Sequence, residues 1–155
     1  MMPMLSRRQV FALALWAAGS ALASVAVSRA ASENEKSGGW PHRVALHLNS
    51  DEERVQRGTL NNIKNLYEEY GQDRVKVELV ANGPGLKLFV KKESKFTDEL
   101  THLKKAYGVE YTACSNTMKG MKLTREDLIE AVDRTAPAIV RLIELQEKGW
   151  AYIKP

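Results

Sequence analysis

The chain has 155 residues, 44% of them apolar and 27% charged, with a single cysteine. That is enough apolar material for one buried core, and it excludes a globally disordered chain, an internal disulfide and a cysteine-rich zinc site. The formal charge of +4 belongs to the amino terminus: Arg7, Arg8 and Arg29 lie in the first 30 residues, where no acid does, and the remaining 20 basic side chains face 19 acidic ones. The balance excludes a nucleic-acid-binding stripe, so Lys91-Lys92 and Lys104-Lys105 read as solvated helix faces.

Ser6-Arg7-Arg8-Gln9-Val10-Phe11 opens the chain, and Ala12 to Val27 follows without a charge. A basic stretch before an apolar one is an export signal, expected over residues 1–30. The arginine pair resembles a twin-arginine signal, although Val10 stands where such a signal has phenylalanine and Phe11 comes one place later. Ser28 and Ala30 supply the small residues of a cleavage site, so a periplasmic protein is expected, touching a membrane only through an uncleaved leader. Residues 31–39 read as a polar linker and 40–155 as the folded domain.

Arg43 to Leu48 is an apolar run of strand length. Ser50-Asp51-Glu52-Glu53 has the pattern of a capping box and starts a helix whose stripe is Val55, Thr59, Ile63, Leu66, Tyr67 and Tyr70, ended by Gly71. Gly58 within it suggests close packing on the sheet. Val75 to Ala81 is a second strand, broken by Asn82-Gly83-Pro84-Gly85, a loop without the spacing of a phosphate-binding fingerprint. Leu86 to Val90 is read as a short helix, and Phe96, Leu100, Leu103 and Tyr107 mark a longer one closed by Gly108. Val109 to Ala113 is a third strand, ending at Cys114. Thr124 and Asp127 cap a further helix, with Leu123 stapled onto Leu128. Pro137 and Gly149 bracket another, whose Ile139, Val140, Leu142, Ile143 and Leu145 exceed one buried face and point to a neighbouring subunit. Trp150 to Ile153 is a last strand.

Strands alternating with helices predict an α/β fold, a three-layer α/β/α sandwich on a mostly parallel sheet of about five strands. Ligands of such sheets bind outside the carboxyl ends of the strands. There the pattern gathers Asn49, Asn82, Gly83, Cys114, Ser115, Asn116 and Thr117. Cys114 is the candidate nucleophile and the other six are candidate substrate-binding groups. Backbone N–H groups of the loop after Cys114, with Lys119 and Lys122 nearby, would favour its thiolate. Buried packing is the bland alternative for a lone cysteine. His47 reads as a satisfied core or crevice histidine, His42 and His102 as solvent-facing, and neither a metal nor a cofactor is expected.

Five blocks in order carry a resemblance: Val44-Ala45-Leu46-His47-Leu48-Asn49-Ser50, Leu60-Asn61-Asn62-Ile63-Lys64-Asn65-Leu66, Val80-Ala81-Asn82-Gly83-Pro84-Gly85, Ala113-Cys114-Ser115-Asn116-Thr117-Met118, and Leu145-Gln146-Glu147-Lys148-Gly149-Trp150-Ala151-Tyr152. From about Trp40 to Pro155 the chain resembles the DsrE/DsrF-like sulfur-relay family. The resemblance implies a compact α/β/α domain that assembles into trimers or hexamers, and a cysteine, here Cys114, that carries sulfur as a persulfide between a donor and an acceptor thiol. The expected function is an exported sulfur carrier. The alternative is an exported oligomeric module that binds a small ligand or is structural, with a non-catalytic Cys114.

Overall fold

Residues 39–155 are described by the structure, a computed structural model; the expected export signal, its cleavage point and nearly all of the linker lie outside them. Val44, Leu46 and Leu48 alternate with Ala45 and His47 along β1 (His42–Leu48), as a strand covered on both faces requires. α1 (Glu53–Tyr70) leads to β2 (Val75–Ala81), a 3₁₀ segment (Gly83–Phe89) and α2 (Thr97–Tyr107). β3 (Glu110–Cys114) runs directly into the short α3 (Ser115–Gly120), and β4 (Arg134–Ala136), α4 (Ala138–Glu147) and β5 (Ala151–Ile153) complete the domain.

All strand pairs are parallel, in the order β4-β3-β2-β1-β5. One face of the sheet buries Leu46, Leu79 and Tyr111 against Leu60 and Ile63 of α1 and Leu100 and Leu103 of α2. The other buries Ala45, Val80 and Cys114 against Ala138, Leu142 and Leu145 of α4. The fold is therefore the expected three-layer α/β sandwich on a five-stranded sheet, with α4 forming the second outer layer.

On the α4 face β2 carries a carboxylate, Glu78, with no exposed surface. Arg141 of α4 clasps it with both prongs, Nε donating to Oε1 at 2.8 Å and Nη2 to Oε2 at 2.7 Å. The Thr112 hydroxyl donates to Oε1 at 2.6 Å, and Arg134 Nη1 of β4 lies 3.0 Å from Oε2. Burial pushes this carboxyl up, but the two guanidiniums and the hydroxyl hold it below the usual carboxylate range.

Several elements depart from the sequence reading for local reasons. Ser50 does not form a capping box; its Oγ accepts from Glu52 N–H at 3.2 Å in a turn, while Glu53 pairs with Arg57 and Lys95. The stripe of α1 is rotated, burying Gln56 and Leu60 and leaving Tyr70 exposed, stacked on His42 with ring centroids 4.0 Å apart. The short helix begins earlier than expected, at Gly83, because Pro84 suits its first turn. Lys91 and Lys92 lie in a turn, not on a helix.

The box Thr124–Asp127 forms but caps only a 3₁₀ turn (Arg125–Asp127). Helix cannot continue there, because Lys91 N–H donates to Asp127 O and Ile129 N–H to Phe89 O, committing the backbone to an antiparallel bridge. β4 has no apolar signature and was not expected; its Arg134 serves Glu78 and Glu110.

Gly58 does not touch the sheet, for a Cβ there meets nothing within 4 Å, so it is a helix glycine without a packing reason. A Cβ on Gly85 would sit 2.5 Å from Leu48 O and 2.9 Å from Asn49 Cα, so this residue lets the loop after β2 lie on the end of β1. Urea unfolding should accordingly separate the two. Gly58→Ala is expected to stabilise the domain by up to about 1 kcal/mol, and Gly85→Ala to destabilise it by about 1–3 kcal/mol.

Candidate functional site at the carboxyl edge of the sheet

Cys114 is the last residue of β3 and the N-cap of α3, where strand geometry turns into helix. β1, β2 and β3 feed connections that pack on the α1/α2 face, whereas β4 feeds α4 on the opposite face. Adjacent strands whose connections part in this way mark the switch point at which ligands of open α/β sheets bind, and Cys114 pairs in register with Ala136 there.

One N–H donates to the sulfur directly, and groups at the start of α3 act on its charge. Ala138 N–H, at the start of α4, lies 3.5 Å from Sγ. The Thr117 hydroxyl and the N–H groups of Asn116 and Thr117, in the first turn of α3, favour the charged form of the thiol. Burial raises the thiol's pKa, yet these donors outweigh it and hold Cys114 below the ordinary thiol value. Hydrogen bonds, not the charges of Lys119 and Lys122, are thus the main supports of the thiolate. The residue is 5% exposed, on an apolar floor of Ala45, Val80 and Leu142.

Thr117 is itself oriented, since its Oγ accepts from Gly83 N–H at 2.9 Å and so can donate its own proton toward the sulfur. Gly83 belongs to the loop that Gly85 seats on β1, and Asn82 N–H donates to Leu48 O at 3.0 Å. The Asn82 side chain reaches sideways: its Oδ1 lies 2.9 Å from His47 Nε2, while His47 Nδ1 lies 2.8 Å from the Tyr152 hydroxyl. In the neutral ring Nε2–H donates to Asn82 and Nδ1 accepts from Tyr152. His47 is a partly buried histidine with both nitrogens engaged.

Of the residues singled out in the sequence, Cys114, Thr117 and Gly83 form one hydrogen-bonded unit, with Asn82 adjoining it. Asn116 contributes its backbone N–H and is exposed. Asn49 is exposed past the end of β1, and Ser115 is half-buried. Ala138 was not foreseen because its contribution is a backbone atom, delivered by the unforeseen β4. The signal available was Pro137, which opens a helix and leaves the next N–H unpaired. Among the described residues no group of three or more His, Cys, Asp and Glu is placed to hold a metal ion.

The family model described as DsrE/DsrF-like matches residues 23–155. The chain belongs to the DsrE/DsrF-like family. Among curated proteins none matches it. A solved structure of a protein of unknown function, MTH1491 from Methanobacterium thermoautotrophicum, is 29% identical with a TM-score of 0.68, covering 74% of this chain and 99% of that one. The YchN protein of E. coli, at 12% identity and a TM-score of 0.59, covers 74% of this chain and 98% of its own, and is similar in fold. Both likenesses extend over nearly the whole of the other protein, so this DsrE/DsrF-like chain has the fold complete in its described part.

A lowered thiol pKa in the folded state adds stability that is fully present above the unfolded thiol's pKa and is lost as pH falls through the folded value. The pH profile of iodoacetamide alkylation should therefore have its midpoint below that of the same chain in urea. Thr117→Val is expected to move the midpoint up and, by leaving Gly83 N–H unpaired, to cost about 1–3 kcal/mol of stability; Thr117→Ser should restore both.

Proposed function

We propose that this DsrE/DsrF-like protein is a single-cysteine sulfur carrier. The observation that carries the reading is the place of Cys114 at the junction of β3 and α3, with the Ala138 N–H of α4 3.5 Å from Sγ and the first turn of α3 holding the thiol below its ordinary pKa. Membership of a family linked to sulfur relay supports it. The Cys114 thiolate attacks the outer sulfur of a polysulfide or thiosulfate; the Sγ–S bond forms, the donor's S–S bond breaks, and the electron pair leaves with the donor thiolate or sulfite. An acceptor thiolate then attacks the outer sulfur of Cys114–S–S⁻ and releases the Cys114 thiolate, so no external oxidant or reductant is consumed. The donors favour the attacking thiolate and the same thiolate as leaving group when the acceptor takes the sulfur; in the persulfide between, the charge sits on the outer sulfur, one S–S bond beyond Sγ.

The same proposal places the carrier in the periplasm, on the support of the arginine pair and apolar run of the leader. The burial of Cys114 favours a second reading, in which the thiol is packing in a ligand-binding or structural module. One measurement separates them. Intact mass spectrometry of protein recovered from the periplasmic fraction and exposed to polysulfide should show a chain cleaved after Ala30 and one added sulfur atom, absent from Cys114→Ala. A full-length mass rejects the cleavage; an unloaded wild-type thiol rejects the carrier.

The outer face of α4 supports self-association. Ile139, Val140 and Ile143 are 67%, 48% and 48% exposed, and Tyr152 of the edge strand, in register with Ala45 on the α4 face of the sheet, is exposed as well. We assign this face to a second copy of the chain, in a trimer or hexamer. Light scattering of the leader-free domain should give a mass of three or six chains, and Ile143→Glu should reduce it to that of one; a monomeric wild type rejects the assignment.

A further inference from the structure

The Ala138 N–H reaches Sγ only because Thr135 to Val140 lies against the end of β3, and the two residues that flank this stretch converge on one buried group. Arg134, before it, lies 3.0 Å from Glu78 Oε2, and Arg141, after it, holds both carboxylate oxygens at 2.8 and 2.7 Å. Glu78 is on β2, in register with Glu110 and so four residues below the level of Cys114 along the sheet. It does not touch the sulfur. Arg141 is one helical turn from Ala138, its own N–H donating to Pro137 O at 3.0 Å, so a guanidinium fixed on Glu78 fixes the depth and rotation of the first turn of α4.

From this geometry we infer that Glu78 is a positioning residue of the sulfur site, acting through Arg134 and Arg141 to hold the Ala138 N–H on Cys114. The inference rests on the sulfur-carrier reading, because it concerns the state of that thiol. A buried ion pair is weak evidence of a stabilising purpose, since apolar residues of similar volume commonly serve a core as well or better. What the carboxylate supplies here is direction. Two arginines from consecutive elements meet one anion, whereas Leu142 and Leu145 against Ala45 and Val80 would tolerate sliding. The other charged groups in the network are Lys76 and Glu110 beside Arg134, and Glu144, whose Oε2 accepts from Arg141 Nη1 at 3.1 Å. They hold the outer sides of the two guanidiniums and leave Glu78 between them.

The test is the alkylation pH profile of Cys114 in the leader-free domain, with near-UV circular dichroism and a urea midpoint recorded for each variant. Glu78→Gln keeps the shape and removes the charge; Arg141→Lys keeps the charge and removes the two-pronged grip. Arg141→Lys is expected to raise the apparent thiol pKa by about half a unit or more, which lowers the thiolate fraction, and with it the alkylation rate near neutral pH, about threefold; Glu78→Gln also removes a negative charge, which by itself lowers a thiol pKa, so a rise in that variant too reports the lost position of the Ala138 N–H. Leu103→Val, on the opposite face of the sheet, is the control: it should lower the urea midpoint and leave the thiol profile in place. Arg141→Lys decides the matter if Glu78→Gln does not fold. Folded variants whose profiles coincide with the wild type overturn the inference. A wild-type profile that coincides with that of the unfolded chain overturns the carrier reading instead, before Glu78 is changed.

Discussion

A carboxylate with no exposed surface cannot stay ionised without partners, and in this fold that constraint organises one whole face of the sheet. Glu78 draws Arg141 from the helix layer, Arg134 from the edge strand and Thr112 from the neighbouring strand. These contacts determine which side of α4 looks inward. Ala138, Leu142 and Leu145 are thereby sent to the sheet, and Ile139, Val140 and Ile143 are left facing out. The opposite face needs no such device, because α1, α2 and the 3₁₀ segment cover it with apolar side chains on β1, β2 and β3.

The sulfur site shows how a family fold and a particular chemistry are separable. A parallel sheet with connections on both faces provides a switch point whatever fills it. The chemistry comes from details that the architecture does not dictate: a cysteine at the last position of a strand, a threonine hydroxyl oriented by Gly83 N–H, and a helix whose first N–H meets the sulfur. Under the proposed function, donors on regular elements of the fold are in place before a substrate arrives, so stabilising charge on sulfur would require little reorganisation.

The alternation of apolar runs with helix-period stretches was sufficient to read the class of fold, its strand order apart. β1, β2 and β3 and the two long helices each announce themselves through period and punctuation, Gly71 and Gly108 included. Cys114, Gly83 and Thr117 were legible as neighbours because all three lie at or just past the carboxyl ends of strands. Less was visible where tertiary context overrides local preference. Thr124 to Asp127 carries a good cap and makes no lasting helix, since backbone pairing with Phe89 and Lys91 claims the next residues. Arg134-Thr135-Ala136 has no strand signature, because an edge strand of three residues that answers a buried acid is polar by necessity. The role of Glu78 was equally hidden, as an acid within an apolar strand carries no mark of what will neutralise it.

β5 pairs with β1, and the contact between His47 and Tyr152 spans 105 positions of sequence. A sheet that grows stepwise from β1 through β4 has one flank that only this distant segment can cover. Contacts of such long range are made late and slowly, because the entropy of closing the intervening chain is lost before the contact rewards it. Until then β1 presents a bare row of amide and carbonyl groups, the kind of surface on which chains template one another. The short, exposed Ala151-Tyr152-Ile153 therefore acts as a cover strip for the interior strand, and the hydroxyl that secures it also orients His47.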